Sequence, residues 1–126
     1  MNMTWQRVDK IRKSRDFRLI QKRGSKFKSR DFLFIFLPFY RIPQAINHPR
    51  FGLVVSKKVG NAVCRNLVKR RLRESCRRNK YLITPSLNIV IIAFASALHR
   101  SQKEIDTQIV DAFVHLNQFS QSREKR

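Results

Sequence analysis

The sequence predicts a single α+β domain: a sandwich in the order α-β-β-β-α-β-α, with a central sheet and one long basic helix. Three observations carry that expectation. Asp31–Pro38 (DFLFIFLP) and Leu87–Ala95 (LNIVIIAFA) are continuously apolar runs of strand length, the pattern of strands, and the second reads as fully buried. Phe51–Asn79 (FGLVVSKKVGNAVCRNLVKRRLRESCRRN) passes from an apolar run through Ser56, Lys57, Lys58 and Gly60 into a helix-length stretch crowded with Arg and Lys. Ile105, Ile109, Ala112, Phe113 and Leu116 recur at helical spacing within residues 97–119, which marks an amphipathic closing helix. The chain's 126 residues suffice for one domain with a real core.

The remaining elements follow from local chemistry. Ser14, before Arg15, Asp16 and Phe17, offers a capping hydroxyl with an acid in the first turn, so a first helix starts there. Phe17 and Ile20 lie three apart on it, and Gly24 is placed to end it as a C′ glycine. Lys26–Arg30 reads as a short basic strand. In the next strand Phe32, Phe34 and Phe36 face one side and Leu33, Ile35 and Leu37 the other, so both faces need cover or one is a binding surface. Phe39–Arg50, with Pro43 and Pro49, reads as a loop, and Phe51–Ser56 as a strand. The basic helix is expected from Gly60 or Asn61 to about Arg78, and Leu82–Ser86, holding Pro85, as a break. The domain is expected to cover residues 1–119, with a disordered basic tail over 120–126.

Charge narrows the function. Lys and Arg outnumber Asp and Glu by 28 to 8, giving a net charge of +20 and a pI near 11.5. Residues 1–30 carry eleven basic side chains and residues 57–80 carry ten, whereas 81–126 carries five against four acids. Two separated basic regions around an apolar middle suit a folded nucleic-acid binder. No run of 18 apolar residues could span a bilayer, and Met1–Lys13 lacks the apolar core of a signal peptide. Cys64 and Cys76, twelve residues apart on one helix, would be separated by about 18 Å, beyond the ~7 Å a disulfide spans. Both are expected as small buried hydrophobes in a reducing cytoplasm.

On the basic helix, Cys64, Val68, Leu72 and Cys76 form one stripe, while Arg65, Asn66, Lys69, Arg70, Arg73 and Arg77 fall on the opposite side. Glu74 is the only acid between Lys57 and Lys80. A merely solvated face would interleave acids for i,i+4 pairing. A face of guanidinium and ammonium groups with one acid is suited instead to phosphate oxygens. A helix-turn-helix DNA reader would need two short adjacent helices, and here strands flank the helix. A protein nuclease active site is not visible either. The acids are scattered, Asp106 and Asp111 are expected on the solvent side of the last helix, and His48, His99 and His115 form no triad or ligand pattern.

The run Val55-Ser56-Lys57-Lys58-Val59-Gly60-Asn61-Ala62-Val63, followed by Arg65-Asn66, Lys69-Arg70 and Arg73, resembles the signature of the bacterial ribonuclease P protein component. Lys13-Ser14-Arg15-Asp16-Phe17 and Lys22-Arg23-Gly24 resemble that family's first helix and turn, and the similarity covers about residues 10–117. The resemblance implies a fold like the second domain of a small-subunit ribosomal protein, with a left-handed βαβ crossover against the usual right-handed preference. It implies the small, non-catalytic subunit of a ribonucleoprotein endonuclease that removes 5′ leaders from precursor tRNA. The chemistry would belong to the catalytic RNA and to Mg²⁺ held by RNA and substrate, with no metal site on the protein and no obligate protein partner. Lys57, Lys58, Asn61, Arg65, Asn66, Lys69, Arg70, Arg73 and Arg77 would bind the catalytic RNA. Arg15, Phe17, Arg18, Lys22, Phe27 and Ile35 would hold the single-stranded leader, by stacking and by phosphate contact.

Three departures from the family pattern bear on those roles. Leu67 stands third in a motif that usually reads Arg-Asn-Arg, so one contact is absent or comes from Arg70 or Arg71. Gln21 and Ile35 stand where aromatics are common, which would weaken leader stacking or move it to Phe27. The competing reading is a ribosomal or general RNA-binding protein, which shares the basic helix but needs no sheet cleft.

Overall fold

The computed structural model describes residues 10–38, 49–83 and 87–124, with side chains as far as Gln118. Three helices and four strands follow the expected order: α1 (Ser14–Arg23), β1 (Ser25–Lys28), β2 (Phe32–Pro38), β3 (Arg50–Val54), α2 (Ala62–Asn79), β4 (Leu87–Ala93) and α3 (Gln102–Glu124). Short 3₁₀ turns at Lys80–Leu82 and Ala95–His99 lead into β4 and α3. The sheet order is β1-β2-β4-β3. The β3 and β4 strands, joined through α2, are parallel, and the other two pairings are antiparallel.

Side-chain alternation divides the core. Phe32, Phe34 and Phe36, with Phe51, Ile89 and Ile91, form one face, packed on Val68, Leu72 and Cys76 of α2 and on Ile105, Ile109, Phe113 and Leu116 of α3. Phe51 and Phe113 stack with ring centroids 5.7 Å apart. The opposite face carries Ile35, Leu37 and Val90 and packs against Ile11 and against Ile20 of α1. Both faces of β2 are therefore needed for folding, which is why the strand is apolar throughout.

Several helix ends differ from expectation. Ser14 is the first residue of α1, not its cap. Lys13 takes the N-cap position without a side-chain bond, and the Asp16 and Phe17 amides donate to its carbonyl at 3.0 and 3.2 Å. Gly24 does end α1, but its backbone is extended (φ −71°, ψ 154°), not left-handed. It is glycine because a Cβ there would lie 2.5 Å from the Ile20 carbonyl oxygen and 2.7 Å from Ile35 Cγ2. Left-handed freedom is needed instead at Gly60, with φ of +150° in the turn before α2. Residues 97–101 do not join α3. Its start is set at Ser101 by a reciprocal pair: the Ser101 amide donates to Glu104 Oε1 at 2.9 Å and the Glu104 amide to Ser101 Oγ at 3.1 Å. The backbone of α3 continues to Glu124, past the boundary expected at 119. Arg50, expected at the end of a loop, opens β3. Residues 39–48 of that loop, with Pro43 and His48, lie outside the described residues, as does Pro85 in the expected break.

Candidate nucleic-acid interface

On the α1 side, the register sets three rows across the sheet. Leu37, Asn88 and Arg50 form one; Lys26, Ile35, Val90 and Gly52 form the next; Lys28, Leu33, Ile92 and Val54 form the third. Helix α1 covers the first two. Ile35 is only 3% exposed and packs with Ile20, and the Phe17 ring lies over Gly52. The third row stays open: Leu33, Ile92 and Val54 are half-buried and Lys28 is exposed. Half-buried Phe17 and exposed Arg15, Arg18 and Lys22 stand on α1, the helix that borders this strip.

Two expected leader residues do not join this surface. Phe27 points to the opposite face, tilted against Phe34 at 6.1 Å and stacked on His115 of α3 at 4.3 Å. Its odd–even position on β1, paired with Phe34, dictates that side. Ile35 is on the right face but beneath α1, where it serves packing. The open strip of Leu33, Ile92 and Val54 takes its place. Alternation assigned Leu33 to this face; which row α1 leaves bare depends on how the helix lies on the sheet.

The buried base of α1 is polar. Arg50 Nε donates to Asn88 Oδ1 at 2.7 Å, and Arg50 Nη2 lies 3.6 Å from Asp16 Oδ2. Asp16, expected to serve the α1 dipole, instead ties the helix to β3.

Helix α2 buries Val68, Leu72, Ser75 and Cys76 and leaves Cys64 only partly covered, at the exposed end of the stripe. Burial pushes the Cys76 thiol far up from its ordinary pKa, so it stays protonated as a small hydrophobe. Opposite lie exposed Asn66 and Arg70 and half-buried Arg65, Lys69 and Arg73. The Nε atoms of Arg65 and Arg73 are buried without a hydrogen-bond partner. Lys57 and Lys58 are exposed in the turn before the helix.

Other members of the expected set have structural duties. Asn61 Oδ1 accepts from the Cys64 amide at 3.0 Å and caps α2. Arg77 is bonded to Glu74 through both Nε and Nη2, and that hydrogen bonding holds the Glu74 carboxyl below its usual range. Arg77 is thus paired with an acid on its own helix, unlike Arg70 and Lys69. Arg78 pairs with Asp106, so Asp106 bridges α3 to α2 and does not simply face solvent. Arg71 Nη1 donates to the Arg100 carbonyl at 2.8 Å, which ties it to the loop before α3. Among the described residues no group of three or more His, Cys, Asp or Glu could hold a metal ion, and no helix is long and apolar enough to cross a membrane.

Known proteins share this fold. The family model for ribonuclease P matches residues 5–117. The ribonuclease P protein component of Listeria monocytogenes is 37% identical over 102 residues, covering 80% of this chain and 82% of that protein. The chain belongs to the ribonuclease P protein family. Its role is therefore that of the protein component of a tRNA-processing enzyme. The component from Exiguobacterium sibiricum is 34% identical over 82% of this chain and 86% of its own. Among solved structures, the Staphylococcus aureus RNase P protein is 34% identical with a TM-score of 0.70, over 80% of this chain and 88% of that one. The Thermotoga maritima RNase P protein is 28% identical with a TM-score of 0.73, over 84% and 96%. The family thus shares the α+β fold and the element order on which the two surfaces are built.

Proposed function

We propose that this chain docks the catalytic RNA of ribonuclease P on α2 and the Lys57-Lys58 turn, and receives the single-stranded 5′ leader of precursor tRNA between α1 and the sheet. It thereby aids endonucleolytic removal of the leader in the cytoplasm. The observation that carries the reading is the open strip of Leu33, Ile92 and Val54 beside half-buried Phe17 and the cations of α1. An apolar strip with an aromatic edge suits bases, and Arg15, Arg18 and Lys22 suit the phosphates that link them. A general RNA binder would use α2 alone and would not need a bare row on the other sheet face.

Cleavage itself is assigned to the RNA, with Mg²⁺ held by RNA and substrate phosphates. Among the described residues no cluster of His, Cys, Asp or Glu suits a metal ion, and the work proposed for the protein is binding. Contacts to the leader add affinity for precursor over mature tRNA. Cations laid against crowded phosphates replace counterions and lower the Mg²⁺ needed for a compact RNA.

The test is cleavage of precursor tRNA by the catalytic RNA across a Mg²⁺ series, with and without the protein. The protein is expected to lower the Mg²⁺ requirement and to be inactive alone. An unchanged Mg²⁺ requirement, or cleavage at the mature 5′ end by rigorously RNA-free protein, would overturn the reading.

A further inference from the structure

Two grooves meet on α2. The inner one lies at the edge strand β3 and is lined by Phe17 of α1, by Phe51, Gly52 and Leu53 of β3, and by Lys69 and Arg73 of α2. Lys10 and Ile11 also line it, and their backbone pairs with β3 through an Ile11 amide to Phe51 carbonyl bond of 2.9 Å. The outer groove lies on α2 itself, among Val63, Asn66, Leu67 and Arg70, and its remaining walls are again Lys69 and Arg73. Lys69 and Arg73 are one helical turn apart, so their side chains stand side by side. Arg73 Nε has no hydrogen-bond partner, and the nearest acid on the helix, Glu74, is bonded to Arg77.

We propose that Lys69 and Arg73 are a shared cationic wall, facing the leader strand on the inner side and the catalytic RNA on the outer side, so that leader capture and RNA docking are coupled through these two residues. This inference rests on the proposed function of the two surfaces. Two strands on opposite sides of one side-chain layer lie well inside the ~10 Å screening length of ordinary salt and repel each other. Cations between them offset that repulsion for both at once. Binding of either strand also orders these two long side chains, an entropic cost that the other strand then does not meet again, and by linkage the factor is the same in both directions. Asn66 and Arg70 line the outer groove, and Phe17 and Gly52 the inner one, so the residues sort into three classes by position.

The experiment measures two quantities for each full-length variant: affinity for the catalytic RNA, and the holoenzyme's affinity ratio for precursor tRNA over the same tRNA lacking its leader. Arg70→Gln is expected to weaken RNA affinity and spare the ratio; Phe17→Ala is expected to lower the ratio and spare RNA affinity. Lys69→Gln and Arg73→Gln are each expected to lower both, by about fivefold or more. Lys69→Arg, which keeps the charge, is expected to retain both. The inference falls if Lys69→Gln and Arg73→Gln sort with Arg70→Gln alone or with Phe17→Ala alone, or if Lys69→Arg fails as Lys69→Gln does. If Arg70→Gln and Phe17→Ala are themselves silent, the underlying assignment of the surfaces falls, and the shared wall with it.

Discussion

Phe17 lies directly over Gly52: a Cβ placed on that glycine would fall 2.3 Å from the ring's Cζ atom. The missing side chain on β3 lets a ring from α1 sit low on the sheet, in the groove that Lys69 and Arg73 also line. A strand residue thus sets the height of a binding aromatic on a neighbouring helix.

Gly52→Ala should therefore lift or tilt the Phe17 ring. Overpacking of this kind costs about 1–3 kcal/mol of stability, measurable in a urea melt. Precursor affinity should fall while affinity for leaderless tRNA and for catalytic RNA stays near that of the unaltered protein. A variant that loses stability but keeps full leader selectivity would show that the height of the ring does not matter.

Phe17→Ala separates stacking from packing. The ring is half-buried, so its loss should cost less stability than the ~3–5 kcal/mol typical of a fully buried Phe. Loss of one base-stacking contact should cost about 1–3 kcal/mol in precursor binding and almost nothing in mature tRNA binding. Equal losses on both substrates, together with a large drop in the urea midpoint, would make Phe17 a core residue only.

The sequence made the strand faces and the α2 stripe legible because both rest on fixed periodicities: Phe32, Phe34 and Phe36 share a face, and Val68, Leu72 and Cys76 are fully buried. It did not reveal which part of a face is bare, and so Ile35 was expected at the surface and Leu33 was not singled out. It also left two structural partnerships unassigned: Arg77 is bonded to Glu74, and Asn61 caps α2. An i,i+3 acid–base pair and an Asn at a helix start are readable signals for both. The role of Asp31 was hidden because its partners Ser96, Arg100 and Gln108 lie more than sixty residues away in the chain.

Asp31 should govern the acid limb of the stability curve. It is fully buried. Burial alone would raise its pKa, but hydrogen bonds from Ser96, Arg100 and Gln108 outweigh that and hold it below the ordinary value of 3.8. A depressed folded-state pKa means that Asp31 contributes its stability above the ordinary carboxylate value and loses it as pH falls through the lower folded value. Asp31→Ala should cost about 3 kcal/mol at neutral pH by leaving Arg100 uncompensated, and it should flatten the decline in stability below about pH 4. An unchanged acid limb in chemical melts would rule out this assignment.

Asn88→Asp should stabilise the base of α1. Arg50 Nη2 and Asn88 Nδ2 are both buried without a hydrogen-bond partner. A carboxylate at position 88 removes the orphaned amide donor and gives Arg50 a charged acceptor, a bond worth about 1.5–3 kcal/mol. Asp16, 3.6 Å from the same guanidinium, adds like-charge repulsion that reduces the gain. A higher urea midpoint is the expected result, and a lower one would mean that the repulsion exceeds the new bond.

The salt dependence of RNA docking tests whether α2 is a dedicated phosphate face. Arg70 is exposed there, whereas Lys103 is exposed on α3 near Glu104 and Asp106. A side chain that neutralises a phosphate releases a counterion, so its loss lowers the slope of log affinity against log salt by about 0.9 for duplex RNA, taking the B-DNA value, and by about 0.7 for a single strand. Arg70→Ala should show that decrement with the catalytic RNA, and Lys103→Ala should show none. Because the decrement is a slope, it is insensitive to small losses of active protein, which shift every affinity equally. Equal slopes for the two variants would mean that binding follows net charge, and the concentration of cations on α2 would then have no docking role.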